Sequence, residues 1–401
     1  MVKRKSLLYF LLGVSLFIHI DAFAQPFFEE GGVFYYIQDE YACVTYKDDS
    51  FGSYSGEVLI PSKVEHEGNT YEVKKIGNSA FKNCSELTIV SLPATLESIG
   101  TNAFEKCIAL QSIDIPKSVE IIGSQAFYQC SSLTSITIPS SVKEVCDGAF
   151  SLCDNLNEII FKGNPKIGAM DTEAKLILSI DDADAVDFGL NPNTFYEATI
   201  NRPLEEGKYG TIVFPFELSD ETLSDYVFYE LIDSSAEGLV FLEVDYELFF
   251  PAPGQPYLYR NANGRKADKL KSKKNAFIHT LAVWIPLGEK NGGWWFKGTF
   301  SNLYFDDAGD LEHIYFLSNN KIMNASRDVS IAPFRAFFEG PVNAKAPSLT
   351  IRNACGETTR IDAMSLEEIP ASCYDLAGRP VKALEMEKGI FIVNGKKYLN
   401  N

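Results

Sequence analysis

Hydrophobic residues recur with a period of 23 between Val73 and Phe161. Each repeat carries alanine, phenylalanine, cysteine and leucine at fixed offsets, with mostly polar residues between them. The ladders consist of Ala80, Ala103, Ala126 and Ala149; Phe81, Phe104, Phe127 and Phe150; Cys84, Cys107, Cys130 and Cys153; and Leu87, Leu110, Leu133 and Leu156. Because these ladders share one register, they indicate a single structural unit that is repeated in space.

Each repeat contains one segment with the alternation of a strand. In residues 133–139, the apolar Ile136 and Ile138 alternate with the polar Ser135 and Thr137, which predicts one face toward the core and one toward solvent. The strand is expected to end at Pro139, because proline cannot donate a ladder hydrogen bond. A Leu- and Ile-rich period of about 20 to 29 residues predicts a leucine-rich repeat solenoid, in which each coil adds a strand to a parallel sheet. The solenoid is placed at 73–163, with the phenylalanines as a column in its core.

The segment before the solenoid, residues 25–72, is predicted to be a β cap. Two strand-like runs, 32–37 and 41–46, flank a short polar turn as in a hairpin. A second turn at Glu67-Gly68-Asn69 is expected to open the first coil into another hairpin. A solenoid needs such a cap because its first coil would otherwise expose its apolar face.

The repeat is lost beyond Phe161, and residues 164–195 are predicted to be a linker. The acidic run 181–187 lacks the glycine and the distal glutamate of an EF-hand loop, so it is interpreted as a solvated turn rather than a calcium site.

Residues 196–365 show short strand-like runs and no long helical period. Turn residues separate these runs, which lie at 210–216, 226–231, 238–244, 255–259, 277–286, 294–300, 313–317 and 334–338. This pattern predicts an antiparallel β-sandwich-like domain. Residues 366–401 form a final module, with two short β segments and a hairpin expected at Asn394-Gly395. The fold class is therefore mixed and β-dominated, a short solenoid followed by a sandwich.

The first 24 residues have the pattern of a signal peptide. A basic start at Lys3-Arg4-Lys5 is followed by an uncharged apolar run and by the small-residue site Ala22-Phe23-Ala24. The apolar run is shorter than the ~20 residues that a membrane-spanning helix needs, and no later stretch could cross a membrane. The chain is therefore expected to be exported, with no transmembrane segment in its mature part.

The formal charge of −18 argues against nucleic acid as a partner. So acidic a chain repels phosphate backbones unless a basic patch intervenes. The basic cluster at 265–274 is interpreted as a solvated loop.

The cysteines of the repeat are expected to be buried free thiols. Stacked coils place equivalent Cα atoms about 4.8 Å apart, so disulfides along the ladder stay open as an alternative. A small apolar thiol that faces the interior is the commoner use of such a position. Cys146 stands where the other repeats have glycine, and a pairing of Cys355 with Cys373 is a guess from the even count.

No pattern of catalytic or cofactor-binding residues is found. His66, His279 and His313 of the mature chain lie in separate segments and form no metal-ligand spacing. Phosphate-binding and dinucleotide-binding fingerprints are missing. A pair of carboxylates among the 54 acidic residues could still serve a glycosidase. The sequence therefore predicts a non-enzymatic protein without metal or cofactor.

Two surfaces are candidates for binding. The outward positions of the predicted parallel sheet form a strip, which comprises Ile89, Ser91, Ser112, Asp114, Ser135, Thr137, Glu158 and Ile160. This strip is mostly small and polar, so plain solvation is an alternative to binding. In the second domain, Trp294 and Trp295 must point to opposite faces of a strand. One is expected in the core. The other, with Trp295 as the candidate, could stack on a sugar ring, and an edge-capping or interface role is the alternative.

The repeat resembles the 23-residue leucine-rich repeats of BspA-like bacterial surface proteins, whose unit is close to IPxSVxxIGxxAFxxCxxLxSI. This resemblance implies an exported, surface-exposed solenoid used for adhesion or protein binding. The expected partner is a host or bacterial surface protein, and the alternative is a glycan bound through the aromatic residues of the second domain. The second domain is similar to β-rich modules that follow such repeats, through 210–216, 254–257 and 334–337. The tail, with YDLAGRPV and GIFIVNGKK, resembles a C-terminal sorting module of type IX secretion, which implies the surface or exterior of a Gram-negative bacterium.

Overall fold

The computed structural model describes residues 27–47, 51–181, 191–202, 204, 207–235, 238–246, 250–262, 268–278, 284–286, 294–300, 303–304, 313–318, 320–325, 330–331, 334–341, 346–353, 357–361, 373–374, 380–381, 389–393 and 396–400. The protein is β-dominated, with parallel ladders in its first half and packed sheets in its second. The predicted signal peptide at 1–24 lies outside the described residues.

The cap and the repeats contain thirteen short strands. They are β1 (Phe28–Glu30), β2 (Val33–Gln38), β3 (Tyr41–Thr45), β4 (Gly56–Leu59), β5 (Lys63–His66), β6 (Asn69–Ile76), β7 (Leu87–Ser91), β8 (Ser98–Ile99), β9 (Ile121–Ile122), β10 (Ser135–Ile138), β11 (Glu144–Val145), β12 (Glu158–Phe161) and β13 (Lys166–Ile167).

The cap consists of two hairpins, as the sequence predicts. Strands β2 and β3 pair in antiparallel fashion around a turn in which Asp39 has a positive φ. Strands β5 and β6 pair in the same way around Glu67 and Gly68, both with positive φ, as tight hairpin turns require.

Two parallel ladders run along the coils, where the sequence predicts one. The predicted ladder carries the strip and contains β4 with β7 and β10 with β12. The second ladder joins β3, β6, β8, β9, β11 and β13 on the return limb, and its middle members are only two residues long.

A third set of coil-to-coil hydrogen bonds involves the phenylalanine turn. The backbone N–H of Phe81 donates to the Ala103 carbonyl at 2.7 Å. In the next two coils, Phe104 donates to Ala126 and Phe127 to Ala149 in the same way. Residues with positive φ flank each Ala-Phe pair: Ser79, Asn83, Asn102, Lys106, Gln125, Gln129, Gly148 and Leu152. Most are not glycine, so each turn adopts a disfavoured conformation and donates N–H groups to the next coil.

The core of the solenoid is a column of stacked phenylalanine rings. Phe81, Phe104, Phe127 and Phe150 are fully buried, with neighbouring centroids 4.9, 5.2 and 5.3 Å apart and ring planes within 5° of parallel. Burial of each ring removes apolar area from water, which stabilises the fold by about 1.5–3 kcal/mol for a fully buried side chain.

The cysteine ladder lies against this column. Cys84, Cys107, Cys130 and Cys153 are buried free thiols. The Sγ atoms of Cys107, Cys130 and Cys153 lie 3.0–3.1 Å from the carbonyl oxygens of Phe81, Phe104 and Phe127, to which they donate. Burial raises the pKa of the Cys153 thiol to about 11 and the pKa of Cys107 and Cys130 further.

The parallel sheet continues through the segment predicted to be a linker. Strand β14 (Lys175–Asp181) pairs in parallel with β12, and β16 (Glu197–Asn201) pairs in parallel with β14, after the short β15 (Thr194–Phe195). The prediction of a linker is wrong here because the strand pattern persists at a shorter spacing than the repeat. Leu178 and Ile180 of β14, with Ala198 and Ile200 of β16, are fully or almost fully buried and prolong the apolar core.

The remaining elements of the second half are mostly short strands. They are β17 (Gly210–Val213), α1 (Asp220–Asp225), β18 (Tyr226–Ser235), β19 (Gly238–Glu243), β20 (Pro256–Asn261), β21 (Lys269–Lys271), β22 (Ala276–Phe277), β23 (Trp284–Pro286), β24 (Trp295–Gly298), β25 (Leu303–Tyr304), β26 (Ile314–Ser318), β27 (Lys321–Asn324), β28 (Ser330–Ile331), β29 (Ala336–Glu339), β30 (Leu349–Arg352) and β31 (Thr358–Ile361).

Two sheets of the second domain pack face to face. One has the order β17-β20-β18-β19-β30-β31 and the other the order β23-β24-β29-β26-β27. Phe241 of the first sheet meets Phe296 of the second edge-on at 5.4 Å, within a shared apolar core. The domain is sandwich-like as predicted, except that β19 and β30 are parallel.

The solenoid and the second domain share one continuous core. Buried residues from Val33 to Phe334 form a single apolar cluster across both parts. Strand β21 adds to the solenoid's sheet by pairing with β16, with Leu270 fully buried. The described part of the basic cluster is therefore partly a strand, and its interpretation as a loop is wrong from Lys269 to Lys271.

The tail forms a small sheet of its own. Strands β32 (Cys373–Tyr374), β33 (Pro380–Val381), β34 (Gly389–Val393) and β35 (Lys396–Asn400) are all antiparallel, and Val393 pairs with Lys396 across the predicted hairpin. Cys355 lies outside the described residues, so the guessed pairing with Cys373 stays a prediction.

Candidate binding surface

The outward strip of the solenoid has the exposure that the alternation predicts. Ser112, Asp114, Ser135 and Thr137 are exposed, whereas Glu158 is half-buried. Between them, Ile136 and Ile138 are buried, and Ile113 is only 6% exposed. Ser135 is the cross-strand partner of Glu158, and Thr137 is the partner of Ile160. The strip therefore lies on the solvent-facing side of the sheet, and the residues at its centre are polar.

The strand ladder is interrupted at the centre of this strip. Residues 111–115 form no strand, and within the described chain their backbone groups make no hydrogen bond to either neighbouring coil. The outward residues here are Ser112 and Asp114, whereas the flanking coils carry the β-branched Ile89 and Thr137. Aspartate is disfavoured in strands and β-branched residues are favoured, which accounts for the break.

A groove of about 350 Å³ lies over the interruption. Its walls include Ser112, Asp114, Ser135 and Thr137, and its floor reaches the core residues Ile113 and Ile136. The structure thus brings four of the predicted strip residues together around one depression. It does not bring Glu158 into the lining, and it places Trp295 on β24 in another sheet.

Lys162 is a lining residue that the sequence reasoning missed. It stands where the other repeats have Pro93, Pro116 and Pro139, a substitution that could have indicated it. Its Nζ lies 3.2 Å from both Ser179 Oγ and Asp181 Oδ2. Burial raises the pKa of Asp181, but hydrogen bonds from Asn201 and Lys162 outweigh burial and hold that pKa below its usual value.

A second depression, of about 650 Å³, lies on the turn side of the solenoid. It is lined by two columns at the repeat spacing, Asn83, Lys106, Gln129 and Leu152 beside Ser85, Ile108, Ser131 and Asp154. Ile108 is 47% exposed there. Because the residue types at these positions vary between repeats, no common sequence pattern predicts this depression.

The two tryptophans of the second domain divide as predicted. Trp294 is buried against Tyr315, with ring centroids 5.4 Å apart. Trp295 is half-buried, and the Nζ of Lys297 lies 5.5 Å from its ring. Lys297 also pairs with Glu339 at 2.7 Å. The outer side of this sheet therefore presents an aromatic ring beside an ion pair.

Among the described residues, no three metal-ligating side chains come together. No helix within the described ranges is long and apolar enough to span a membrane.

Residues 68–170 match the model of the BspA type leucine rich repeat region, in six copies. This part of the chain is therefore similar to BspA-type leucine-rich repeats. No curated protein matches the chain.

Several solved structures are similar to part of this chain. A leucine-rich repeat protein from Bacteroides capillosus is 30% identical, with 34% of this chain and 99% of that chain covered and a TM-score of 0.30. A leucine rich cell surface protein from Faecalibacterium prausnitzii is 23% identical over 57% of this chain and 62% of that one, with a TM-score of 0.29. The pneumococcal vaccine antigen PcpA is 18% identical over 40% and 51%, with a TM-score of 0.30.

Proposed function

We propose that this protein is a non-enzymatic interaction or adhesion protein that binds a protein partner through the outward strip of its solenoid. The partner is a surface protein of a host or of another bacterium. The observation that carries this proposal is the coincidence, at one place, of the predicted strip residues, a groove and backbone groups that make no backbone hydrogen bond to another described residue. Such groups are hydrated in the free protein, and a polypeptide can replace that water with direct hydrogen bonds.

The strip is preferred to the larger depression on the turn side for a geometric reason. The parallel sheet continues from β12 into β14 and β16, so the strip extends beyond the repeats. Specific protein interfaces bury about 800 Å² per partner, which needs a face of this breadth. BspA-type repeats and an export signal fit a place at the cell surface, and the tail fits a sorting module.

Affinity capture with a matched pair of variants tests this proposal. Thr137→Arg adds a bulky charge at the groove, and Thr101→Arg adds the same charge at an exposed site outside the strip. Each immobilised variant is exposed to solubilised surface proteins. We expect a partner that wild type and Thr101→Arg retain and that Thr137→Arg loses. Retention of every partner by Thr137→Arg would contradict the proposal.

A second candidate function is glycan binding through Trp295. The half-exposed ring beside Lys297 and Glu339 combines a stacking face with polar groups for sugar hydroxyls. A glycan array probed with wild type and Trp295→Ala separates the two functions. A signal that depends on Trp295 and not on Thr137 would favour the glycan.

A further inference from the structure

Beyond the repeats, near the start of β14, two lysines lie over one tyrosine ring. Lys175 opens β14, is exposed, and is the cross-strand partner of the strip residue Glu158. Its Nζ lies 4.9 Å from the ring centroid of Tyr196. The Nζ of Lys274, which follows β21 and is also exposed, lies 5.6 Å from the same centroid. The ring thus concentrates two ammonium groups at the end of the strip.

These two lysines differ from two of their neighbours, which form ion pairs with carboxylates. Lys271 pairs with Glu221 at 2.9 Å, and Lys273 pairs with Glu217 at 3.2 Å. Within the ranges that the structure describes, Lys175 and Lys274 form no ion pair. Two lysines without an ion pair among the described residues therefore lie together on a chain with a formal charge of −18.

A partly exposed apolar residue follows each lysine in the chain, Ile177 two residues after Lys175 and Phe277 three residues after Lys274. Ile177 lies on the same outward face as Lys175, beside Ile160 of the strip, and both are half-buried. Phe277, on β22, is 50% exposed and is the cross-strand partner of Thr194. A ligand on this surface would meet positive charge and apolar surface at short intervals.

We propose that the site formed by Lys175, Lys274 and Tyr196 binds an acidic, extended segment of a polypeptide partner. Carboxylates of the segment pair with the two ammonium groups, while its alternate apolar side chains pack on Ile177 and Phe277. A sulfated polysaccharide supplies negative charge but no apolar side chain, so a polypeptide fits this surface better. This inference rests on the proposed function, because it assigns the chemistry of the partner at one end of the same face.

The probe is a fluorescently labelled synthetic peptide of alternating glutamate and leucine, with alternating glutamine and leucine as its control. Anisotropy titrations use the full mature chain at low and at physiological salt. We expect the glutamate peptide to bind more tightly than the glutamine peptide, and more weakly as salt rises. Lys175→Glu/Lys274→Glu should weaken this binding by about tenfold or more.

A charge-matched variant, Lys63→Glu/Lys143→Glu, alters two exposed lysines away from the site and should bind like wild type. Equal binding by all three proteins, or equal loss in both variants, would overturn the proposal. The proposal would also be overturned if heparin binds more tightly than the peptide and its binding requires the same two lysines. Thr137→Arg leaves both lysines in place, so it should still bind the peptide. A lysine site that does not bind peptide is therefore distinguishable from a strip that does not bind a protein partner.

Discussion

The ring of Tyr54 lies against the ring of Phe81, with centroids 4.6 Å apart, so a tyrosine ends the phenylalanine column. Its hydroxyl donates to the carbonyl oxygen of Thr45 and accepts from the N–H of Phe34 at 3.1 Å. Phe34 and Thr45 are cross-strand partners in the cap hairpin. One side chain therefore couples the column of the solenoid to its cap.

Tyr54→Phe should lower the free energy of unfolding by about 1–3 kcal/mol, because it leaves two backbone groups without their partner in a buried site. The ring contact with Phe81 is retained, so the fold should survive. Chemical denaturation of the full mature chain measures the change. An effect below about 0.5 kcal/mol would show that water replaces the hydroxyl at no cost.

Phe127→Ala should lower the free energy of unfolding by about 3–5 kcal/mol, because it removes a fully buried ring between two stacked neighbours and leaves a cavity. Phe51→Ala is the matched control, because Phe51 is 45% exposed and should cost no more than about 1 kcal/mol. Denaturant midpoints of the two variants are compared. Similar costs for both would contradict the stacked column.

The repeat thiols should resist a thiol reagent in the native protein and react after unfolding without reductant. Cys84, Cys107, Cys130 and Cys153 are buried, and burial favours the unreactive neutral thiol. Cys146 is half-buried and should react first. Mass mapping identifies the modified sites, and a crosslinked Cys107–Cys130 peptide would contradict the free-thiol structure.

The interruption of the ladder predicts a local difference in hydrogen exchange. Within the part of the chain that the structure describes, the amides of Ser112 and Asp114 donate no backbone hydrogen bond, whereas those of Phe104 and Phe127 bond to the next coil at 2.7 and 2.8 Å. Exchange at 112–114 should be faster by about a hundredfold or more. Equal protection at both places would mean that the ladder is continuous in solution.

Much of the solenoid follows from its repeat. The buried column and the alternation at Ile136 and Ile138 are properties of residue type at a fixed spacing, so the sequence reveals them. The return ladder is harder to predict, because a strand as short as Ser98–Ile99 has too few residues to show alternation. The turns with positive φ are equally hidden, because residues such as Lys106 and Leu152 replace the expected glycine.

The candidate site shows the same division. The outward positions of Thr137 and Asp114 follow from alternation. The weak strand propensity of aspartate explains the break in the ladder, but the groove that results depends on how the neighbouring coils pack, which alternation does not specify. Lys175 lies in β14, which does not follow the 23-residue spacing of the repeats, so the repeat does not predict its position. Such contacts arise from how coils stack, and only the structure shows them.

The most direct test of the central claim compares Ser135→Arg/Thr137→Arg with Trp295→Ala, after circular dichroism shows that both are folded. Both strip residues are exposed, so the double variant should lose no more than about 1 kcal/mol of stability. Surface plasmon resonance then measures the affinity of each variant for the captured surface protein. We expect the strip variant to bind about a hundredfold or more weakly, by analogy with central interface positions, and Trp295→Ala to bind like wild type. Undiminished binding by the strip variant, with loss in Trp295→Ala, would make the solenoid a spacer and contradict the account.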